Sequence, residues 1–113
     1  MSRGPQTAQV TTAAGLPEAS IRALDLIARP WTPHLLLLLA QRPMRYRDLQ
    51  AALPSMSTAV LTERLHVLTG ARLARRRLVD GDRGVHYEIT DLGEAFAGPL
   101  RTIAGAAEAA AAS

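Results

Sequence analysis

Every basic side chain of this 113-residue chain is an arginine, and most of these arginines fall in one stretch. Residues 42 to 86 hold nine arginines against four acidic residues, a balance of +5, whereas the remainder holds four against six, a balance of −2. A guanidinium group can bind a phosphate or the edge of a guanine through two parallel hydrogen bonds. This concentration of charge predicts a surface that binds a polyanion.

The residue types give little support for disulfides, metal sites or catalytic sites. The chain has no cysteine, which excludes disulfides and thiolate metal ligands. Its three histidines, His34, His66 and His86, fall on separate predicted elements without metal-ligand spacing. The sequence contains no glycine-rich phosphate loop and no nucleophile elbow. We therefore expect no enzyme activity, no metal and no cofactor.

Two helices joined by a tight turn are predicted to present side chains to the polyanion. The segment from Met44 to Leu53 is predicted as a short helix, and Ser57 is predicted to cap a longer helix through about Thr69. The longer helix has a buried stripe of Leu61, Leu65 and Leu68. Such a helix fits the major groove of DNA, and its outer positions are the candidate base contacts: Ser57, Thr58, Ala59, Thr62, Glu63 and His66. An ordinary helical hairpin with a solvated face is the alternative.

A β-hairpin is predicted next, because the hydrophobic period changes from helical to two. Its strands cover Leu73 to Asp80 and Val85 to Thr90. In the second strand Val85, Tyr87 and Ile89 are expected to alternate against His86 and Glu88. The candidate contacts to the DNA backbone or minor groove are arginines near the helix pair and along the hairpin: Arg45, Arg47, Arg75, Arg77 and Arg83. The alternatives are a solvated edge strand, and pairing of Arg45 or Arg47 with Asp48.

The remaining elements complete a mainly α fold with a small β-hairpin, which is the order of a winged helix-turn-helix. A first helix is predicted over Pro17 to Ala28, a second helix is capped by Thr32, and a last helix runs from about Leu92 to Ala110 behind Thr90 or Asp91. A monomer would leave apolar residues of the first and last helices in water. We therefore expect a homodimer whose interface includes Ile21, Leu24, Leu100 and Ile103.

The length of the chain corresponds to one domain. We expect a flexible arm over residues 1–15, a folded winged-helix domain over 16–103 and the alanine-rich end of the last helix over 104–113. The longest apolar run, Leu35 to Ala40, is too short to span a membrane, which takes about 20 residues. These features predict a cytoplasmic protein without a membrane partner.

Four motifs, in sequence order, resemble the HxlR family of bacterial winged-helix regulators. They are A-L-D-L-I-x-x-x-W-T from Ala23, P-x-R-Y-x-D-L from Pro43, L-P-x-M-S-x-x-x-L-T-x-R-L-x-x-L from Leu53 and Y-x-I-T-x-L-G from Tyr87. The resemblance implies a transcriptional regulator that acts as a homodimer held mainly by its first and last helices. Such a dimer would read a two-fold site in double-stranded DNA with its recognition helices and wings.

The chain also departs from the family pattern. The region from Pro17 to Ser20 lacks the cysteine with which many members sense oxidants. Ala59 stands where the family usually has a basic residue. Arg72 stands where it usually has a helix-ending glycine, although Gly70 could serve as an earlier stop. The short wing favours, as one alternative, a MarR-like regulator with an unidentified small-molecule effector. The uncharged face at Ala59 and Thr62 favours another, a winged-helix module that binds a protein and has lost DNA reading.

Overall fold

A computed structural model of the chain describes residues 15–78 and 84–112, and it divides the chain into two compact units at Pro30. The described part of the first unit holds one helix, α1, over Glu18–Ala28. The carbonyl of Pro17 accepts the N–H of Ile21 at 3.1 Å, so this proline precedes the first turn. The predicted first helix is therefore confirmed.

The second unit, which begins at Trp31, is a helical domain with a small antiparallel sheet. Its elements are α2 (Thr32–Gln41), β1 (Met44–Arg45), α3 (Tyr46–Ala52), α4 (Thr58–Gly70), β2 (Ala74–Leu78), β3 (Val85–Ile89) and α5 (Asp91–Ala112). The three strands lie in the order β1-β3-β2. This arrangement confirms the predicted winged helix-turn-helix. Among the described residues, no helix is both long and apolar enough to cross a membrane.

The core of the second unit is built from leucines at helical spacing. Leu61, Leu65 and Leu68 of α4 are at most 2% exposed, which confirms the predicted stripe. The other buried leucines of the helices belong to α2 and α3, namely Leu35, Leu36, Leu39 and Leu49. Helix α2 packs against α5 and β3, and α4 packs against β2. The packing therefore fixes α4 by its apolar side and leaves its other side at the surface.

Side-chain caps mark the start of two helices as predicted, but not of a third. The Ser57 hydroxyl accepts the N–H of Val60 at 3.1 Å, and the Thr90 hydroxyl accepts the N–H of Gly93 at 3.0 Å. Thr32 does not cap α2, which corrects the prediction. The residue before α2 is Trp31, in a left-handed conformation with a φ of 74°, and Thr32 is the first helical residue and is buried.

Met44 and Arg45 form a strand, not the first turn of a helix as predicted. Met44 pairs with Tyr87 and Arg45 with His86, so the exposed edge of β3 gains a third strand. Helix α3 begins only at Tyr46, where the Asp48 carboxylate accepts the backbone N–H of Arg45 at 3.1 Å. The extra strand makes β3 the central strand of the sheet.

Helix α4 ends at Gly70, but Gly70 is not the residue that adopts the left-handed conformation. Arg72 adopts the left-handed conformation instead, with a φ of 64°. The N–H of Arg72 bonds to the carbonyl of Thr69 at 3.1 Å, and the N–H of Leu73 bonds to the carbonyl of Leu68 at 2.9 Å. These two bonds form a Schellman motif with arginine at the position that glycine usually takes. The motif directs the chain from α4 into β2.

Candidate nucleic-acid interface

Helix α4 presents a polar outer face to solvent. Five of its predicted contact residues are exposed, namely Thr58, Ala59, Thr62, Glu63 and His66. Ser57 is also exposed, although its hydroxyl is used to cap the helix. The turn before the helix is closed by a bond from the N–H of Met56 to the carbonyl of Leu53 at 3.1 Å, and Met56 itself is buried. The structure thus brings the predicted recognition-helix residues together on one accessible surface.

Two polar side chains of α3 form hydrogen bonds with this face of α4. The Tyr46 hydroxyl donates to the carbonyl of Thr58 at 3.1 Å and lies 2.9 Å from the hydroxyl oxygen of Thr62. The Gln50 amide donates to the Thr58 hydroxyl at 3.3 Å. Two threonines of the outer face are therefore held in place by the preceding helix.

Glu63 brings a negative charge to the same face, and its partner lies beside it. Its carboxylate forms an ion pair with Arg64, whose side chain is only 16% exposed. This pairing offsets part of the negative charge of Glu63. A carboxylate is the kind of acceptor that can bind the amino group of a cytosine.

The hairpin of β2 and β3, here called the wing, carries Arg75 and Arg77 on one face, as the sequence alternation predicts. Both donate to the carboxylate of Glu88 on the neighbouring strand, and the contact from Arg77 measures 3.2 Å. The hydrogen bond from Arg75 is the largest influence on the pKa of Glu88 and lowers it. Burial acts in the opposite direction, the hydrogen bond from Arg77 lowers the pKa further, and the net result is a lowered pKa. Glu88 thus offsets part of the positive charge of these arginines.

Glu88 is buried at 8% exposure, whereas Val85, Tyr87 and Ile89 are only partly buried. The faces of β3 alternate as predicted, but burial does not follow the alternation, because Glu88 is the most buried residue of the strand. Glu88 lies opposite Arg75 in the sheet, and a carboxylate with so little exposure needs hydrogen-bonding partners. Arg75 and Arg77 are those partners.

Arg76 is the residue that sequence reasoning missed. It pairs with Tyr87 across the sheet and therefore lies on the face opposite Arg75 and Arg77. On that face it lines a cleft of about 220 Å³ together with Tyr46, Thr62, Leu65, His66, Thr69 and Tyr87. The sequence could have predicted this position. Side chains alternate along a strand, so Arg76 must lie on the other face from Arg75 and Arg77.

Arg45 and Arg47 lie at the start of α3, on either side of Tyr46 in the sequence. They line a second hollow of about 410 Å³, which shares Tyr46, Arg76 and Tyr87 with the first. The guanidinium of Arg45 lies against Gly84, since a Cβ there would be 3.2 Å from its Cζ. Arg83, the predicted tip of the wing, lies outside the described residues.

Comparison with known proteins identifies this arrangement. Over residues 26–111 the sequence matches the family described as HxlR-like helix-turn-helix. The chain belongs to the HxlR-like helix-turn-helix family. Its family and fold make it a DNA-binding regulator of transcription and not a member of an enzyme family.

Individual proteins are similar to this HxlR-like chain in sequence or in fold. The HTH-type transcriptional regulator YvaP of Bacillus subtilis is 30% identical over 77 residues, which make up 67% of this chain and 71% of the relative. The reduced form of the transcriptional regulator YodB from B. subtilis has the same fold, with a TM-score of 0.72 at 21% identity, and the match covers 78% of this chain and 87% of YodB. A MarR-family regulator from Porphyromonas gingivalis W83 has a TM-score of 0.70 at 26% identity, with 85% and 92% covered.

The apolar residues predicted to join two copies of the HxlR-like chain lie on α1 and α5. Leu24 of α1 is 51% exposed and Ile103 of α5 is 64% exposed. Leu100 is partly buried, and every residue from Arg101 to Ala112 is exposed. The last three turns of α5 therefore project their side chains into solvent from the second unit.

Proposed function

We propose that this protein binds specific sites in double-stranded DNA as a homodimer, with α4 in the major groove. The observation that carries the proposal is the polar, exposed face of α4 beside an arginine-lined cleft. A helix with side chains is about 10–12 Å across, which matches the width of the major groove. The residues proposed to face the bases are Ser57, Thr58, Ala59, Thr62, Glu63 and His66.

Arginines outside α4 supply most of the affinity in this proposal, because the outer face of the helix carries little positive charge. Phosphate contacts dominate the affinity of such proteins and bases provide the specificity. The backbone contacts are proposed for the arginines before α3 and along the wing: Arg45, Arg47, Arg75, Arg77 and Arg83. Arg75 and Arg77 contribute less than their charge indicates, since both are paired with Glu88.

The homodimer is proposed from the exposed apolar residues of α1 and α5. Leu24 and Ile103 would both lose contact with water in a dimer, and Ile21 and Leu100 lie on the same two helices. Two copies related by a two-fold axis would place two α4 helices on a two-fold DNA site. The proposed interface therefore sets the spacing of the half-sites.

Selection of bound fragments from a genomic library with the purified protein tests this function. We expect a small set of fragments that share a two-fold motif. Their affinity should fall steeply as salt rises, since each neutralised phosphate steepens the salt dependence. Absence of any retardation of random genomic duplex at low salt would contradict the proposal. It would instead support the module that binds a protein and has lost DNA reading.

A further inference from the structure

The two hollows share Arg76 in their lining and are here together called the Arg76 cleft. The first hollow reaches from α3 to α4 and the sheet, and the second reaches from α3 to the end of the wing at Gly84. Tyr46, Arg76 and Tyr87 line both. Thr62 and His66 line the first hollow and also belong to the exposed face of α4. A duplex read by α4 would therefore lie over this cleft.

The charge of the cleft is of one sign. Arg45, Arg47 and Arg76 line it, and none of its lining residues within the described part of the chain is acidic. Arg47 and Arg76 form no ion pair with the residues that the structure describes. Arg75 and Arg77, by contrast, are held by Glu88 on the opposite face of the sheet. Of the three consecutive arginines, Arg76 alone faces α4.

We propose that the Arg76 cleft binds one phosphate ester of the DNA backbone, with Arg76 and Arg47 as the charged ligands. The inference rests on the proposed function and assigns the main phosphate contact of the wing to Arg76. A guanidinium donates a rigid fork of N–H groups that matches two oxygens of a phosphate. This contact would set the depth of α4 in the major groove, because Thr62 and His66 border the same cleft.

The matched substitutions Arg76→Ala and Arg75→Ala test the proposal. They remove the same side chain from adjacent positions on opposite faces of β2. Duplex affinity is measured by fluorescence anisotropy over a series of salt concentrations. We expect Arg76→Ala to weaken binding about tenfold and to reduce the salt slope by about 0.9, the value for one phosphate. Arg75→Ala should weaken binding by a smaller factor than Arg76→Ala and should reduce the salt slope less, because the charge of Arg75 is already paired with Glu88.

Three further outcomes make the test decisive. Equal effects of the two substitutions on affinity and slope would overturn the assignment to Arg76. Failure of the wild-type protein to bind duplex would instead refute the proposed function itself. The phosphate bound in the cleft could belong to the DNA backbone or to a free phosphorylated ligand. Calorimetric titration with inorganic phosphate, beside the duplex titration, distinguishes the two. If Arg76→Ala abolishes phosphate binding but leaves duplex binding unchanged, the cleft binds a free ligand and the assignment to the backbone is wrong.

A second observation concerns the protons of two threonines on α4. A tyrosine hydroxyl has one proton, and that of Tyr46 is donated to the carbonyl of Thr58, which can only accept. The contact of 2.9 Å between Tyr46 and Thr62 therefore uses the proton of Thr62. The Thr58 hydroxyl accepts from Gln50 at 3.3 Å, so its own proton stays available. The two threonines thus present different hydrogen-bonding groups to the outside.

We infer that Thr62 is a specificity-determining residue that reads amino groups on bases. Because the Thr62 hydroxyl donates its proton to Tyr46, it can only accept a hydrogen bond from a base. The N6 amino group of adenine and the N4 amino group of cytosine are suitable donors. The carbonyl oxygens of guanine and thymine would meet another acceptor and be disfavoured. This inference also rests on the proposed function, but it does not depend on the Arg76 cleft.

Selection from a randomised duplex library with wild-type protein and Tyr46→Phe tests the role of Thr62. We expect one position where wild type prefers adenine or cytosine and where Tyr46→Phe also accepts guanine or thymine. Gln50→Ala is the matched control, since it releases Thr58 but leaves the bond between Tyr46 and Thr62 intact. Thr62→Val should abolish the preference at the same position. Unchanged preferences in Tyr46→Phe would overturn the inference, whereas no enrichment by wild type would refute the proposed function.

Discussion

At Arg72 the backbone adopts a left-handed conformation that only glycine reaches without strain. The residue ends α4 in a Schellman motif, so its conformation is fixed by bonds from both Arg72 and Leu73. We expect Arg72→Gly to raise the free energy of unfolding by about 1 kcal/mol, because it removes the Cβ that causes the strain. Urea denaturation measures the change.

Arg72→Ala serves as the control for this prediction. It removes the guanidinium but keeps the Cβ, so it should not reproduce the gain in stability. Equal stabilisation by glycine and alanine would show that the side chain, and not the backbone conformation, is the source of the strain.

The paired carboxylate of Glu88 makes the stability of the fold depend on pH. Because Arg75 and Arg77 hold the pKa of Glu88 below its unfolded value, the stabilisation is present above the usual pKa of about 4.3. It is lost as the pH falls through the lowered value. We expect Glu88→Gln to be less stable than wild type at pH 7 and the difference to shrink towards pH 3, as measured by urea denaturation at both pH values.

A matched control uses the exposed pair of Glu94 and Arg101 on α5, whose atoms lie 2.6 Å apart. Glu94→Gln should cost at most about 0.5 kcal/mol at pH 7, as is usual for surface ion pairs. A Glu88→Gln deficit that stays constant from pH 7 to pH 3 would contradict the assigned role of this carboxylate.

Between elements, the start of α5 is joined to the segment that follows α4 by close backbone contact. A Cβ on Gly93 would lie 2.0 Å from the carbonyl oxygen of Leu73. That same carbonyl accepts the N–H of Thr90 at 3.1 Å, and the Thr90 hydroxyl donates to the carbonyl of Arg72 at 2.6 Å. The junction therefore fixes the wing and α5 relative to the end of α4.

Gly93→Ala should lower the free energy of unfolding by about 3 kcal/mol, since the added methyl group meets backbone that cannot move aside. Gly105→Ala is the same substitution on the same helix, at a position where nothing lies within 4 Å of the new Cβ. It should be neutral or stabilising by up to about 1 kcal/mol through helix propensity. Thermal denaturation of both variants checks the contrast, and a loss of similar size in each would contradict it.

Local signals in the sequence predicted most elements, and non-local contacts account for the errors. Capping by Ser57 and Thr90 and the leucine stripe of α4 depend on residues within one or two turns, so they could be predicted. The buried position of Glu88 involves ion pairs with Arg75 and Arg77 of the neighbouring strand, which lie 13 and 11 residues away along the chain. Arg76 was missed for a related reason, because its importance follows from the cleft that α4 and the sheet form together.

For the whole molecule, the last turns of α5 indicate a second copy of the chain. The exposed end of α5, residues 101–112, is short for a helix that has to be stable on its own in water. It also leaves Ile103 64% exposed. We expect sedimentation at micromolar concentration to give twice the protomer mass of 12.1 kDa for wild type. Ile103→Glu should give a species near the protomer mass, because a charge would be buried in the interface.

Thr102→Glu adds the same charge on the neighbouring side of α5, about 100° around the helix, and should remain dimeric. A monomeric wild type, or an Ile103→Glu variant that sediments like wild type, would argue against the proposed interface.

The central claim is that DNA binds to the outer face of α4 and the neighbouring side of the wing. Nuclear magnetic resonance tests most directly which residues contact the duplex. Backbone ¹H–¹⁵N spectra are recorded during titration with a duplex taken from the bound genomic fragments. The amide shifts should move at Thr58, Thr62 and His66 of α4 and at Arg76 of the wing, while Leu36 and Leu39 in the core stay nearly unchanged. Shifts confined to α5, or none in the presence of saturating duplex, would contradict the account.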